Sequence, residues 1–154
     1  LLGLGTPQWD FGARGTLLGL TRGSGRAEIV RAVLEGVAHR GADLLEAAEQ
    51  DAGVRVEALR VDGGMTANAV FVQALADSVG RPVEVSPERE ATTLGAAYLA
   101  GLATGVWASE DELAERWAPA VVVQPRPSYA DRDRWKEAVT RAKAWVPALS
   151  ELHF

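Results

Sequence analysis

Two adjacent glycines, Gly63 and Gly64, stand where an apolar run of Val54, Val56, Leu59 and Val61 gives way to a helical pattern from about Ala67 to Val79. A strand that stops at a glycine pair and turns at once into a helix restricts the chain to mixed-layer folds, in which helices cover a sheet. The junction also suits a ligand. Without Cβ atoms the backbone of Gly63 and Gly64 admits a flat or phosphorylated group, and the first amides of the following helix have no intrahelical partner. A nucleotide is the natural candidate. The plain alternative is that the pair only closes a tight turn.

The elements around this junction keep an alternating order. Residues 1 to 15 carry Gly3, Gly5, Pro7, Gly12 and Gly15 around Trp9-Asp10 and are expected to form an irregular loop. Thr16 to Thr21, with Leu17, Leu18 and Leu20, is predicted as a short strand before the turn residues Arg22-Gly23-Ser24-Gly25. Ile29, Val30, Val33, Leu34, Val37, Ala38, Leu44, Leu45 and Ala48 recur every three or four residues, so Arg26 to Asp51 is predicted as the longest helix, with Gly53 as its terminator. The run from Val54 to Val61 is predicted as a buried strand. Val70 or Phe71, with Ala74, Leu75 and Val79, marks the inner face of the next helix, which Gly80-Arg81-Pro82 stops.

Val83 to Val85 is a predicted strand, and Thr92 to Thr104 a helix whose Ala and Gly residues invite close backbone packing. Ser109 to Glu112 fits a capping box at the start of a short helix. Pro119 to Pro127 is read as a connector. Ser128 is the predicted cap of a final helix that buries Trp135, Ala138, Val139, Ala142, Trp145 and Val146 on one face. Strand, helix, strand, helix, strand, helix indicates an α/β or closely related mixed fold.

Composition excludes several classes of function. The chain has 154 residues, 47% of them hydrophobic, enough for the core of one ordinary domain. It has no cysteine, so disulfides and thiolate chemistry are ruled out and a reducing, cytoplasmic setting is expected. No apolar run nears the roughly 18 residues of a membrane span, and Leu1 to Gly5 lacks the basic region of a signal peptide. A net charge of −5 with acids and bases interspersed offers no basic face for nucleic acid.

Gly15-Thr16-Leu17-Leu18-Gly19-Leu20, then Glu28-Ile29 and Ala32-Val33-Leu34-Glu35, resembles the second signature of the FGGY carbohydrate kinases. Gly3-Leu4-Gly5, Pro7, Trp9-Asp10, Ala13-Arg14-Gly15 and Gly19-Leu20-Thr21-Arg22-Gly23 look most like the glycerol kinases of that family. The likeness continues through Arg60-Val61-Asp62-Gly63-Gly64 and Asn68, Glu90 to Ala97, Ala100 to Ala103, Gly105 and Trp107. Departures are Gln8, Phe11-Gly12 and Ala69, where the family has an aromatic, Pro-Tyr and a second Asn.

The resemblance implies a ribonuclease H-like domain of the actin, Hsp70 and hexokinase type, incomplete at its N-terminus. Residues 1–107 would be the core of the C-terminal domain and 108–154 a helical extension. The N-terminal domain, which in the family carries the polyol site, the nearest phosphate loops and the general-base aspartate, is not represented. What it implies about activity is transfer of the γ-phosphoryl group of ATP, carried with Mg2+, to glycerol, giving glycerol 3-phosphate. This chain alone is expected to be inactive without an N-terminal kinase domain as partner, and homo-oligomers are open. Xylulose or gluconate are the alternative substrates, and a non-catalytic nucleotide-binding or interaction remnant the alternative class.

By the same resemblance Gly64 gives a backbone contact and Asn68 a side-chain contact to ATP or ADP, with Gly63 permitting the turn that presents them. An asparagine amide both donates and accepts, so it suits a nucleotide; surface solvation or capping of the helix is its alternative. No catalytic residue and no metal ligand is assigned. Asp62 reads as a turn residue, His39 and His153 as solvated histidines, and Glu46, Glu49 and Asp51 as a wet helical face. Arg14 and Arg22 are left between phosphate contact and pairing with acids. The five tryptophans read as core and interdomain packing.

Overall fold

The computed structural model describes residues 3–127 and 130–151. Its centre is a strand–helix–strand unit. β1 (Leu59–Val61) runs parallel to β2 (Val83–Val85), with Leu59, Arg60 and Val61 opposite Val83, Glu84 and Val85. The connection passes through a 3-10 turn, Gly64–Ala67, and helix α2 (Ala69–Val79), as a parallel pair requires. β3 (Val121–Val123) adds on the far side of β2 in the antiparallel sense, giving the order β1-β2-β3.

Helix α1 (Arg26–Ala52) lies against α2. It ends where Gly53 turns left-handed (φ 65°) and returns its N–H to Glu49 O at 3.0 Å. α2 is buried from Phe71 to Ser78 because it is covered by both α1 and the sheet. Ala38, Phe71, Val72, Ala74, Leu75, Ala76 and Val83 form the core, with Leu34, Leu59, Val61, Val79, Val85 and Val123 packed around it. The strands contribute alternate residues to this face, as a pleat dictates, while Arg60 and Glu84 pair at 3.1 Å on the other. There the Arg60 guanidinium lies 4.7 Å from the ring centre of Trp117. α1 and α2 come so close at Gly41 that a Cβ there would sit 2.8 Å from Leu75 Cδ1.

Two ion pairs tie the unit together. Arg81, just before β2, holds the Glu49 carboxylate of α1 through two nitrogens and donates to Val56 O at 2.7 Å, while Glu49 Oε1 accepts from Val56 N at 2.6 Å. Asp77 of α2 takes three bonds from Arg126, one from its backbone N–H and two from its guanidinium, which fix the chain after β3.

Beyond the sheet, α3 (Ala91–Thr104) and α4 (Glu110–Ala114) follow, then α5 (Arg132–Ala142) and α6 (Pro147–Ser150). Asp10 joins the first described residues to the last. Its carboxylate, only 4% exposed, accepts from Gly12 N (2.8 Å), Ala13 N (3.1 Å), Ala144 N (2.7 Å) and Ser150 Oγ (2.6 Å).

Several sequence expectations need correction. Thr16 to Thr21 is not a strand: no strand among the described residues pairs with it, and Leu17, Leu18 and Leu20 are exposed. An extended segment needs a neighbour for its backbone groups, and none is supplied here. The run from Val54 is a strand only at Leu59–Val61, because Val56 gives its N–H to Glu49 and its carbonyl to Arg81 instead of to a ladder. The Pro119 to Pro127 connector hides β3, an edge strand bracketed by Pro119 and Pro125, which suits residues that cannot complete a ladder.

The final helix is broken by Ala144 at φ 53°, where its N–H turns to Asp10, so Trp145 faces solvent at 73% exposure instead of joining Trp135. The predicted cap Ser128 lies outside the described residues; Asp131 caps α5, its Oδ1 accepting from Arg134 N at 2.9 Å. Ser109 caps α4 as expected, but Glu112 reaches past it to Ala108 N at 3.0 Å. The small residues of α3 pack closely only at Gly101, which receives the Trp107 ring. More than half of the apolar pattern of α1 is also unburied: Val30, Val33, Val37, Leu44 and Ala48 are exposed.

Candidate nucleotide site

The C-terminal end of β1 opens directly onto the glycine pair. Val61 O accepts from Ser86 N at 2.8 Å, which extends the parallel ladder one step beyond the strands. Crevices beyond the carboxyl ends of parallel strands are where α/β sheets bind ligands. Gly63 then adopts φ 92°, ψ 176°, a conformation open to glycine and strained for any other residue. The turn is held by Thr66, which donates from its N–H (3.1 Å) and its Oγ1 (2.7 Å) to Gly63 O. Sequence reasoning passed over Thr66, although a threonine three residues after the turning glycine is a recognisable local acceptor–donor signal.

Gly64 needs no left-handed backbone, and a Cβ on it would meet nothing within 4 Å. Neither conformation nor packing inside the chain explains a glycine there. The exposed backbone it leaves, with the amides of Gly64 and Met65 ahead of the first hydrogen bond of the turn, is a surface another molecule can approach.

Asn68 follows as the cap of α2. Its Oδ1 accepts from Val70 N at 3.0 Å and Phe71 N at 3.2 Å, so the capping role is realised. Its Nδ2 amide donates to no partner among the described residues, and the residue is exposed. Capping and ligand contact are therefore compatible: the oxygen holds the helix while two N–H donors remain for a second group. Gly63, Gly64 and Asn68 lie within one turn of chain at the sheet edge, and Asp62 stands exposed beside them with no hydrogen bond among the described residues.

The other sequence candidates are placed elsewhere. Arg14 donates to Phe11 O (2.9 Å) and Ala13 O (2.7 Å), a structural use, while Arg22 is exposed. Glu46 and Glu49 do not form a wet face: Glu46 pairs with Arg132 and Lys136, and Glu49 with Arg81. The hydrogen bond from Arg81, reinforced by Val56 N, holds the Glu49 carboxyl below its ordinary range. Asp51 is exposed as expected. His39 is not a solvated histidine either: it is half-buried, stacked on Trp135, with its centroid 5.0 Å from that ring. His153 lies outside the described residues. Trp107 and Trp117 are packed on Arg116 and Arg60, while Trp9 and Trp145 are exposed. No three of His, Cys, Asp or Glu converge as a metal-binding group among the described residues, and no helix there is long and apolar enough to cross a membrane.

Comparison with known proteins shows the family of the chain. The C-terminal domain of the FGGY family of carbohydrate kinases matches residues 1–104. The glycerol kinase of Symbiobacterium thermophilum is 49% identical over 149 residues, which cover 94% of this chain and 30% of that protein. The crystal structure of Plasmodium falciparum glycerol kinase with ADP superposes with a TM-score of 0.72 at 32% identity, covering 99% of this chain and 30% of that one. Gluconate kinase from Lactobacillus acidophilus superposes with a TM-score of 0.67 at 26% identity, over 94% of this chain and 29% of that one. The chain thus spans about 30% of the length of its glycerol kinase relatives, with the α/β fold of the actin- and hexokinase-type ATPases. With a family match over two thirds of its length and relatives at this identity, the chain belongs to the FGGY family of carbohydrate kinases, within the C-terminal domain.

Proposed function

We propose that this chain is the nucleotide-binding half of a glycerol kinase, in which ATP phosphorylates glycerol to glycerol 3-phosphate. The observation that carries this reading is the open turn at Gly63 and Gly64 with Asn68 behind it, at the end of a parallel strand pair. The backbone at Gly64 would approach the adenosine side of the nucleotide and the Asn68 amide would donate to it. The ADP in the similar Plasmodium glycerol kinase supports nucleotide binding, and 46–49% identity to several glycerol kinases favours glycerol over xylulose or gluconate.

Residues 1–107 would then be the core of the C-terminal domain, and 108–154 its extension. Among the described residues no group of three His, Cys, Asp or Glu could hold a metal ion; Mg2+ would arrive on the phosphates of ATP and be met by a separate N-terminal kinase domain. That domain would also bring the glycerol site and the general base. The role of the present residues is positioning: a nucleotide held at the sheet edge needs only domain closure to bring its γ-phosphate to an acceptor hydroxyl. A cytoplasmic setting, where ATP is available, fits this role.

Calorimetry with ADP tests the nucleotide half. Adding the N-terminal domain of a relative and assaying phosphorylation of glycerol, xylulose and gluconate tests the substrate. Saturable ADP binding with turnover of glycerol alone is expected. A folded chain that binds no ADP even in the two-domain complex would refute the nucleotide assignment. Turnover of xylulose or gluconate in place of glycerol would refute the substrate.

A further inference from the structure

We propose that the His39–Trp135 stack is a pH-sensitive latch, which fastens α5 to α1 while His39 is neutral and loosens it when His39 gains a proton. Among the described residues the polar attachments of α5 to α1 converge on one region, which also holds the Lys136–Glu46 ion pair at 3.5 Å. The imidazole and indole rings lie 5.0 Å apart and 11° from parallel. Trp135 Nε1 donates to both oxygens of the buried Asp43, at 3.1 and 3.0 Å. Arg132 bonds Asp43 Oδ1 at 2.6 Å, Glu46 Oε1 at 2.9 Å and the His39 carbonyl at 3.0 Å. Its Nη1 also lies 3.2 Å from His39 Nδ1.

That last contact sets the protonation state. An arginine carries its charge throughout the accessible pH range and can only donate, so the bond requires a lone pair on His39 Nδ1. Neutral His39 then carries its hydrogen on Nε2. A second proton must go to Nδ1, directly against the guanidinium, where the hydrogen bond becomes a contact between two cations.

The surrounding charges do not all act one way. Within α1, Glu35 and Asp43 favour the imidazolium; Asp131, the cap of α5, does the same, and Arg132 opposes. Arg134 of α5 lines the cavity beside the two rings, to which α2 contributes, among the described residues, the uncharged Ala74 and Ser78. The indole face itself attracts a cation. Burial of the ring and the adjacent Arg132 outweigh these and lower the His39 pKa from its ordinary value.

The sign follows from linkage. A histidine whose pKa is depressed in the docked state binds more protons when released, so docking is strongest above the ordinary value of about 6.5 and weakens as pH falls toward the docked value. A cavity of about 300 Å3 beside the rings, bounded by Glu35, Ser78, Asp131 and Arg134, gives water access to the imidazole. Ala144 and Asp10 hold the far end of α5, so release would swing the helix rather than free the chain.

Proton NMR of the full chain tests this, following His39 Hε1 and the Trp135 indole N–H from pH 8 to 5. His153→Gln and Trp135→Phe assign the two resonances. Expected is one shared midpoint below about 6.5, with loss of the shift associated with the Asp43 bond, and an indole that stays still in His39→Phe, which keeps the stacked ring and the carbonyl acceptor. An indole that does not respond in the wild type, or that responds equally in His39→Phe, would overturn the proposal. Should His39→Phe fail to fold, the two wild-type midpoints decide, and different midpoints reject the latch.

Discussion

Asn68 is asked to do two things with one side chain, and two substitutions separate them. Asn68→Ala removes the oxygen that accepts from Val70 N and Phe71 N, the first amides of the helix at the centre of the core. Loss of such a cap costs about 1 kcal/mol, within a range of roughly 0.5–2. For a chain of this size that is a fall in Tm of about 2–4 °C. Asn68→Asp keeps an acceptor in the same place and adds a negative charge at the helix N-terminus, worth roughly 0.3–1 kcal/mol, so the chain should be as stable as the wild type or slightly more so. It has no amide donors, however, and its charge opposes a phosphate. Urea unfolding and ADP calorimetry on the same samples check both roles. Stability should fall only in the alanine variant, and binding should weaken in both. Wild-type affinity in Asn68→Asp would refute a donor role for the amide; unchanged stability in Asn68→Ala would refute the cap.

Gly12→Ala would place a Cβ 1.9 Å from Ser150 Oγ and 2.4 Å from Val146 O, so α6 must move; a loss of about 1–3 kcal/mol and early proteolysis after α5 are expected, and an unchanged digestion pattern would count against it. The bond from Ser150, with those from Ala144, Gly12 and Ala13, holds the Asp10 pKa below its ordinary value. The native state therefore binds fewer protons, so the attachment of the C-terminal segment is complete above an unfolded pKa of about 4 and is lost as pH falls through the folded value. Trp145 fluorescence between pH 6 and 2 should report this in the wild type and lose its transition in Asp10→Asn. The exposed Val30, Val33, Val37 and Leu44 of α1, with Leu17, Leu18 and Leu20, predict concentration-dependent self-association; sedimentation as a monomer at all concentrations would contradict this.

Much of the local structure was readable because single residues decide it. Gly53 ends α1, Ser109 starts α4, and the three-residue strand Val83–Val85 and both ends of α1 follow from periodicity and glycine placement. What escaped was set at a distance. Nothing near Val56 in sequence announces that Glu49 and Arg81 will take its backbone groups, and nothing near Ala144 announces Asp10. β3 escaped because three valines between prolines become a strand only beside β2. At the candidate site the turn at Gly63 and the start of α2 near Asn68 were legible; that Asn68 uses its oxygen for capping and keeps its amide was not, because an asparagine suits either use equally well. His39 was misread for the same reason, since its environment comes from α5, 93 residues away.

The Asp10 carboxylate bridges 134 residues to Ala144 and 140 to Ser150. Closing a flexible loop of that length costs about 4 kcal/mol in chain entropy, more than a few hydrogen bonds return, unless intervening structure has already drawn the ends together. The bridge is thus a late event, possible once α1, α2 and the sheet have shortened the path. On a ribosome it waits longer still. Asp10 leaves the exit tunnel 140 residues ahead of Ser150 and can accept only from the nearby Gly12 and Ala13 amides until the segment that carries Ser150 emerges and seals it.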